Sequence, residues 1–220
     1  MPSDWFDQDR PIWRIMGRIT DVLLLGFLWT VTSLPIVTIG ASSTAVYYVT
    51  LKMARNREGY LWKGFWKSFK ENFKQATILW LILLALAVFF GLDIYYYYSQ
   101  ESTVASGIQA FFIGMLILVV IVVIYLFPII SRFSNSTGKL FSMALFLPFK
   151  HFGWTLALLA MFLLSVFFGW FIKPYFMFAY GVYAYISSYI FVKIFRPYEV
   201  AIQKQNGTYV EEEEETESEI

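Results

Sequence analysis

Residues 111–130 read FFIGMLILVVIVVIYLFPII and residues 76–92 read ATILWLILLALAVFFGL, and neither run shows a polar face at helical spacing. A soluble core helix of that length keeps a polar stripe toward water. Runs of about 18 apolar residues cross a hydrocarbon core about 30 Å thick. The chain is therefore expected to be a polytopic membrane protein. Composition agrees: hydrophobic residues make up 58% and charged residues 15%, against about 45–50% and about 25% in soluble domains. The chain has no cysteine, which excludes disulfides, thiolate metal sites and cysteine nucleophiles. Its first dozen residues are polar and acidic, with Asp4, Asp7 and Asp9, so no cleavable signal peptide is expected.

The remaining apolar segments give an all-α transmembrane bundle of about six spans, with five as the alternative. An entry segment over 1–13 offers Trp5, Phe6, Ile12 and Trp13 to a membrane surface, with Arg10, Arg14 and Arg18 reaching lipid phosphates. Spans are expected at about 14–34, 36–54, 75–98, 105–130, 149–171 and 175–195. The uncertain point is Pro35, which restricts Leu34 and interrupts the helical ladder. In the six-span reading the chain folds back over 35–40, so Pro35 and Gly40 mark a helix break. In the five-span reading one helix runs over 20–39 and a surface helix over 44–57. Lys and Arg arbitrate, because loops rich in them stay on the cytoplasmic side. The basic stretch from Lys52 to Lys74 is taken as cytoplasmic, and only six spans then keep Arg10, Arg14 and Arg18 on that side. Sixteen of the seventeen Lys and Arg residues face the cytoplasm or its interface, with Lys173 as the exception. The loop 131–150, with Arg132, Lys139 and Lys150, is read as cytoplasmic. Residues 1–200 form one domain. After about Pro197 a solvated extension is expected, and residues 201–220 form an acidic tail. The last ten residues carry seven Glu, leaving 17 basic against nine acidic residues in the rest of the chain.

One stretch has a second character. Over 60–74 the sequence reads YLWKGFWKSFKENFK. At 100° per residue Trp62, Phe65, Trp66, Phe69 and Phe73 form one stripe, and Lys63, Lys67, Lys70 and Lys74 form its neighbour. Rings beside ammonium groups suit the inner membrane interface, where each Lys near anionic lipid contributes about 1 kcal/mol. The stretch reads as an amphipathic helix serving either as a lipid anchor or as a docking surface for a membrane subunit or cytoplasmic domain. Other candidates read more plainly. Asp93 lies near the outer end of its span, and Asp21 near the start of the first, one turn from Arg18. Tyr95, Tyr96, Tyr97 and Tyr98 read as an interfacial aromatic belt. His151 is the sole histidine and has no cluster of metal ligands around it. Gly64, Gly91 and Gly169 are read as points of close helix approach. Nucleotide-binding, nucleophile-elbow and zinc-helix motifs do not occur.

The segment SLPIVTIGASSTAVYYVTLKMARNREGY, followed by FWKSFKENFKQATILW, resembles the YesL-like family of bacterial integral membrane proteins of unknown function. The resemblance is expected to cover about Trp13 to Val200. It implies a bacterial cytoplasmic-membrane protein, an accessory, non-catalytic subunit beside the permeases of a carbohydrate ABC importer. It supplies no catalytic, cofactor or metal residues. Pro35, Gly40, Thr44, Tyr48, Lys52 and the stretch from Phe65 to Lys74 are the motif positions, and they read as structural or partner-facing. An independent small-solute transporter or channel is the alternative, with the break at 35–40 and Asp93 as its only candidate elements. The expected partners are the bilayer and importer permeases, not nucleic acid.

Overall fold

The computed structural model describes residues 11–56, 59–100 and 102–205. These form seven helices and, among the described residues, no strand: α1 Pro11–Thr32, α2 Ile39–Ala54, α3 Leu61–Tyr98, α4 Thr103–Arg132, α5 Thr137–Lys150, α6 Phe152–Phe171 and α7 Lys173–Gln205. A 3-10 turn, Ile36–Thr38, joins the first two. Five of the helices, α1, α3, α4, α6 and α7, are long and apolar enough to cross a membrane. The chain is a multi-pass helical bundle, as its apolar runs require.

The fold-back at Pro35 occurs, so the single helix over 20–39 does not form. Pro35 takes an extended conformation, and the Thr38 hydroxyl donates toward the Thr32 carbonyl (2.5 Å) and the Pro35 carbonyl (2.7 Å). That supplies a partner for a carbonyl left open at the end of α1. The helix that follows is shorter than expected. With 16 residues, α2 is about 24 Å long at 1.5 Å per residue, less than a hydrocarbon core of about 30 Å. It is also not a surface helix. Residues 40–47 are all buried, and α1, α3, α4 and α7 pack around it. The segment expected as the second span is the shared core of the other helices.

This burial explains the Ser and Thr of α2. Thr44 donates to the Gly40 carbonyl at 2.9 Å, and Ser42 to the Thr38 carbonyl at 3.0 Å. Ser43 Oγ accepts the Trp29 indole N–H at 3.0 Å. The Tyr47 hydroxyl pairs with Ser187 at 3.1 Å, and Ser188 donates to Thr50 at 2.8 Å. Trp29 stacks on Tyr180, ring centroids 4.2 Å apart. Side-chain hydroxyls thus join α1, α2 and α7 in the buried interior.

Two contacts bring backbones together. A Cβ on Gly181 would lie 2.5 Å from the Val22 carbonyl oxygen and 2.6 Å from the Gly26 nitrogen, so α1 and α7 touch there through bare backbone. A Cβ on Gly40 would lie 2.5 Å from the Ala76 carbonyl oxygen, which holds α2 against α3. The expected close-approach glycines behave otherwise. Nothing lies within 4 Å of a Cβ at Gly91, and Gly64 makes ordinary contact with Val49 at 3.5 Å. Gly169 lines an apolar groove of about 250 Å³ between α1, α6 and α7.

The charged ends of several helices converge. Glu199 Oε1 accepts from Arg55 at the end of α2 (2.7 Å) and from Arg132 at the end of α4. Lys150, ending α5, lies 4.9 Å from the Tyr198 ring centre. Three expectations are corrected here. The loop over 131–150 contains α5, whose Leu140, Ala144 and Leu147 are buried at i, i+4 and i+7; its basic residues hid that apolar stripe. His151 then separates α5 from α6, so the expected span at 149–171 begins at Phe152. The extension expected after Pro197 is helical as far as Gln205, because Glu199 and Tyr198 anchor it to neighbouring helices. The acidic run over 211–219 lies outside the described residues.

Two substitutions test this packing. Gly181→Val forces α1 and α7 apart and is expected to cost about 1–3 kcal/mol, read as a lower thermal midpoint in detergent, whereas Gly91→Val leaves the midpoint unchanged. Glu199→Gln strands the largely buried Arg55 (side chain 10% exposed) and is expected to cost on the order of 3 kcal/mol, measured in the same assay.

Candidate functional site

The amphipathic stretch is not a separate helix. It forms the first turns of α3, which runs unbroken for 38 residues, about 57 Å at 1.5 Å per residue. Even at a tilt of about 40° such a helix outreaches a hydrocarbon core of about 30 Å. The apolar run starts at Ala76, so the excess is the basic and aromatic stretch over 61–74.

The aromatic stripe divides in two. Phe65 is fully buried, and Trp66 and Phe69 pack on the core. Trp62 and Phe73 are 56% and 39% exposed. The rings form a ladder, with Trp62–Trp66, Trp66–Phe69 and Phe69–Phe73 centroids 5.9, 5.5 and 5.5 Å apart. Lys63, Lys67, Lys70 and Lys74 are all exposed. Lys67 meets Glu71 at 4.0 Å, an exposed i, i+4 pair of the kind that contributes little. Three of the five rings in the predicted interface are therefore intramolecular packing, which no pattern within 60–74 encodes.

Lys63 and Lys67 also border a cleft between α1, α2 and the start of α3. Its volume is about 910 Å³. Arg18 and Asp21 enter it from α1, Tyr48 and Lys52 from α2, and Asn56 and Tyr60 from the connection. Four cations and one carboxylate line it among the described residues. Arg57 and Glu58 lie outside those residues and carry opposite charges. Lys52 Nζ donates to the Tyr48 hydroxyl at 2.8 Å and lies 4.3 Å from that ring's centre. Lys63 Nζ lies 4.9 Å from the centre of the Tyr60 ring. Arg18 Nη2 donates to Asn56 Oδ1 at 2.6 Å. Asn56 sits just past the end of α2 with φ 52°, a left-handed conformation that Asn tolerates better than most residues. It ends the helix and presents its amide to α1.

The other candidates fall elsewhere. Pro35 and Gly40 serve the fold-back and the α2–α3 contact. Asp93 is half-buried near the end of α3, and its Oδ2 has no partner among the described residues. Tyr95, Tyr96 and Tyr98 are exposed, while Tyr97 stacks on Phe112 with centroids 6.2 Å apart. His151 Nε2 lies 3.4 Å from the Tyr198 hydroxyl. No group of three or more potential metal ligands occurs among the described residues. The sequence reading missed the joining of Arg18, Lys52 and Lys63 around one space. Their positions, 34 and 11 residues apart in the chain, meet only because α1 and α2 fold back.

Residues 22–94 match the family model described as "Protein of unknown function, DUF624". That range holds the second half of α1, all of α2 and nearly all of α3, and thus the fold-back, the buried polar helix and the cleft's walls from α2 and α3, but not Arg18 or Asp21. The chain is also 22% identical over 142 residues to "Uncharacterized protein YesL" of Bacillus subtilis (strain 168), covering 64% of this chain and 66% of that relative. No solved structure matches it. The resemblance to YesL-like proteins of unknown function therefore holds, with the family model covering a shorter stretch than Trp13 to Val200.

The two halves of the aromatic stripe should respond differently to truncation. Phe65→Ala is expected to cost about 3–5 kcal/mol, and Trp62→Ala within about 0.5 kcal/mol, compared by thermal unfolding in detergent.

Proposed function

We propose that the protein is an accessory, non-catalytic subunit of the bacterial cytoplasmic membrane that docks on the permease subunits of a carbohydrate ABC importer. The observation that carries this reading is the start of α3. Trp62 and Phe73 are exposed there beside Lys70 and Lys74, on a helix rigidly continuous with a span. Exposed aromatic residues on a fixed support are the residue types that anchor protein interfaces. The choice of a carbohydrate importer rests on the family resemblance alone. Both termini are placed on the cytoplasmic side. In support, Arg18 reaches Asn56 at the end of α2, and Arg55, Arg132 and Lys150 converge on the last third of α7. Cation-rich ends remain cytoplasmic in short-looped membrane proteins.

The second reading, an independent small-solute transporter or channel, has Asp93 in its favour, since a carboxylate in a span is a functional candidate by default. Against it, the buried hydroxyls of α2 are bonded to neighbouring backbone carbonyls and to side chains of α1 and α7. Flux of sugar in proteoliposomes holding this protein alone would favour that reading.

Tagged protein extracted from native membranes in mild detergent is expected to recover permease subunits. Trp62→Ser with Phe73→Ser is expected to lower that recovery about tenfold, the loss of about 1.4 kcal/mol, with no change in thermal midpoint. Recovery of the protein alone, with unimpaired sugar uptake after deletion, would reject the proposal.

A further inference from the structure

We propose that the cleft between α1, α2 and α3 binds a phosphate-bearing anion that also carries hydroxyl groups, as a glycerol phosphate does. The inference is independent of the importer proposal: it rests on Lys63 and Lys67 at the cleft, not on the exposed Trp62 and Phe73.

The first argument is charge. Arg18, Lys52, Lys63 and Lys67 come from three helices and face one cavity with Asp21 as the sole carboxylate among the described lining residues. Cations gathered in a concave space raise the local concentration of anions. Lys52 and Lys63 each lie against a tyrosine ring, at 4.3 and 4.9 Å. Such contacts hold an ammonium group in place while leaving N–H donors for a ligand.

The second argument is chemistry. An arginine fork and ammonium point charges are the side chains that recognise phosphate oxygens. Asp21 repels a phosphate but accepts hydrogen bonds from hydroxyls, as do the Tyr48 and Tyr60 oxygens. A ligand with both groups suits the charged and hydroxyl-bearing part of the lining, beside which Val49, Met53 and Leu61 supply an apolar wall. The third argument is size. A cavity of about 910 Å³ lies in the range of organic ligand sites, about 300–1,000 Å³, and exceeds what inorganic phosphate fills. Gly17, Gly59 and Gly64 in its wall contribute no side chain to fill it.

This chemistry has two sources: the headgroup of an anionic phospholipid, or a soluble phosphate ester. Full-length protein in phosphatidylcholine micelles would be exposed to phosphatidylglycerol in one arm and to glycerol 1-phosphate in the other. Retained lipid is read by native mass spectrometry and the soluble ligand by thermal shift. The variant pair is Lys52→Gln with Lys63→Gln. Its control, Lys70→Gln with Lys74→Gln, removes the same charge from exposed positions outside the cleft. Both pairs should unfold at the wild-type midpoint without ligand. The first pair is expected to weaken binding about tenfold or more, as lost charge-assisted hydrogen bonds do, while the control binds as wild type. Lipid retention that glycerol 1-phosphate does not displace assigns the lipid source. A thermal shift by glycerol 1-phosphate alone assigns the soluble one. Equal loss in both variant pairs, equal retention of phosphatidylcholine and phosphatidylglycerol, or no response in either arm overturns the proposal.

Discussion

A helix that carries Ser, Thr and Tyr at the centre of an apolar bundle persists only if every hydroxyl finds a partner within the protein. Lipid offers none, and each unmet group costs free energy comparable to a lost hydrogen bond. Here α2 meets that condition by surrounding itself. Trp29 reaches Ser43 from α1, Ser187 and Ser188 reach Tyr47 and Thr50 from α7, and Thr44 bonds back within its own helix. The long helices are arranged so that α2 touches four of them. A bundle of the same apolar helices without this polar rod would lack the contacts that fix which helix lies beside which.

The functional geometry descends from that arrangement. Gly40 lets α3 approach α2 to backbone distance, and α3 then runs on past the end of the hydrocarbon. Because α2 ends at Ala54 while α3 begins at Leu61, the short connection between them leaves a space. The lower part of α1 closes its third side. The cleft thus lies where three helices end near one another, and its charge comes from Arg18, Lys52, Lys63 and Lys67 on those helices. At the neighbouring end of α2, Glu199 neutralises one of the two arginines that reach it, so the surroundings stay positive.

Much of this was legible in the chain. The apolar runs announce the spans, Pro35 announces the fold-back, and the period of 60–74 announces an amphipathic helix. What could not be read was which side chains one helix hands to another. Phe65 and Trp62 occupy the same stripe, yet one is buried and the other faces out. The difference lies in the tertiary packing, not in the stripe. Gly26 and Gly181 are 155 residues apart, and no spacing rule within one helix reveals a contact between two. The helix α5 was hidden for a related reason: Lys139 and Lys150 bracket its buried stripe and lend the segment the composition of a loop.

The continuity of α3 bears on how such a protein acts. An amphipathic helix joined to its span by a flexible loop can rest on lipid without affecting the bundle. Here the exposed Trp62 and Phe73 stand on the same helix whose Ala76, Leu79 and Leu83 are buried in the core. A partner that grips the start of α3 pulls on the packing of α2, and through Tyr47 and Ser187 on α7. A ligand held between Arg18, Lys52 and Lys63 bridges the α1–α2 hairpin to that same helix. Docking and ligand binding would then act on one element. The contact of Gly40 with Ala76, where helix backbones meet with no side chain between them, is one place where a displacement of α3 would reach α2.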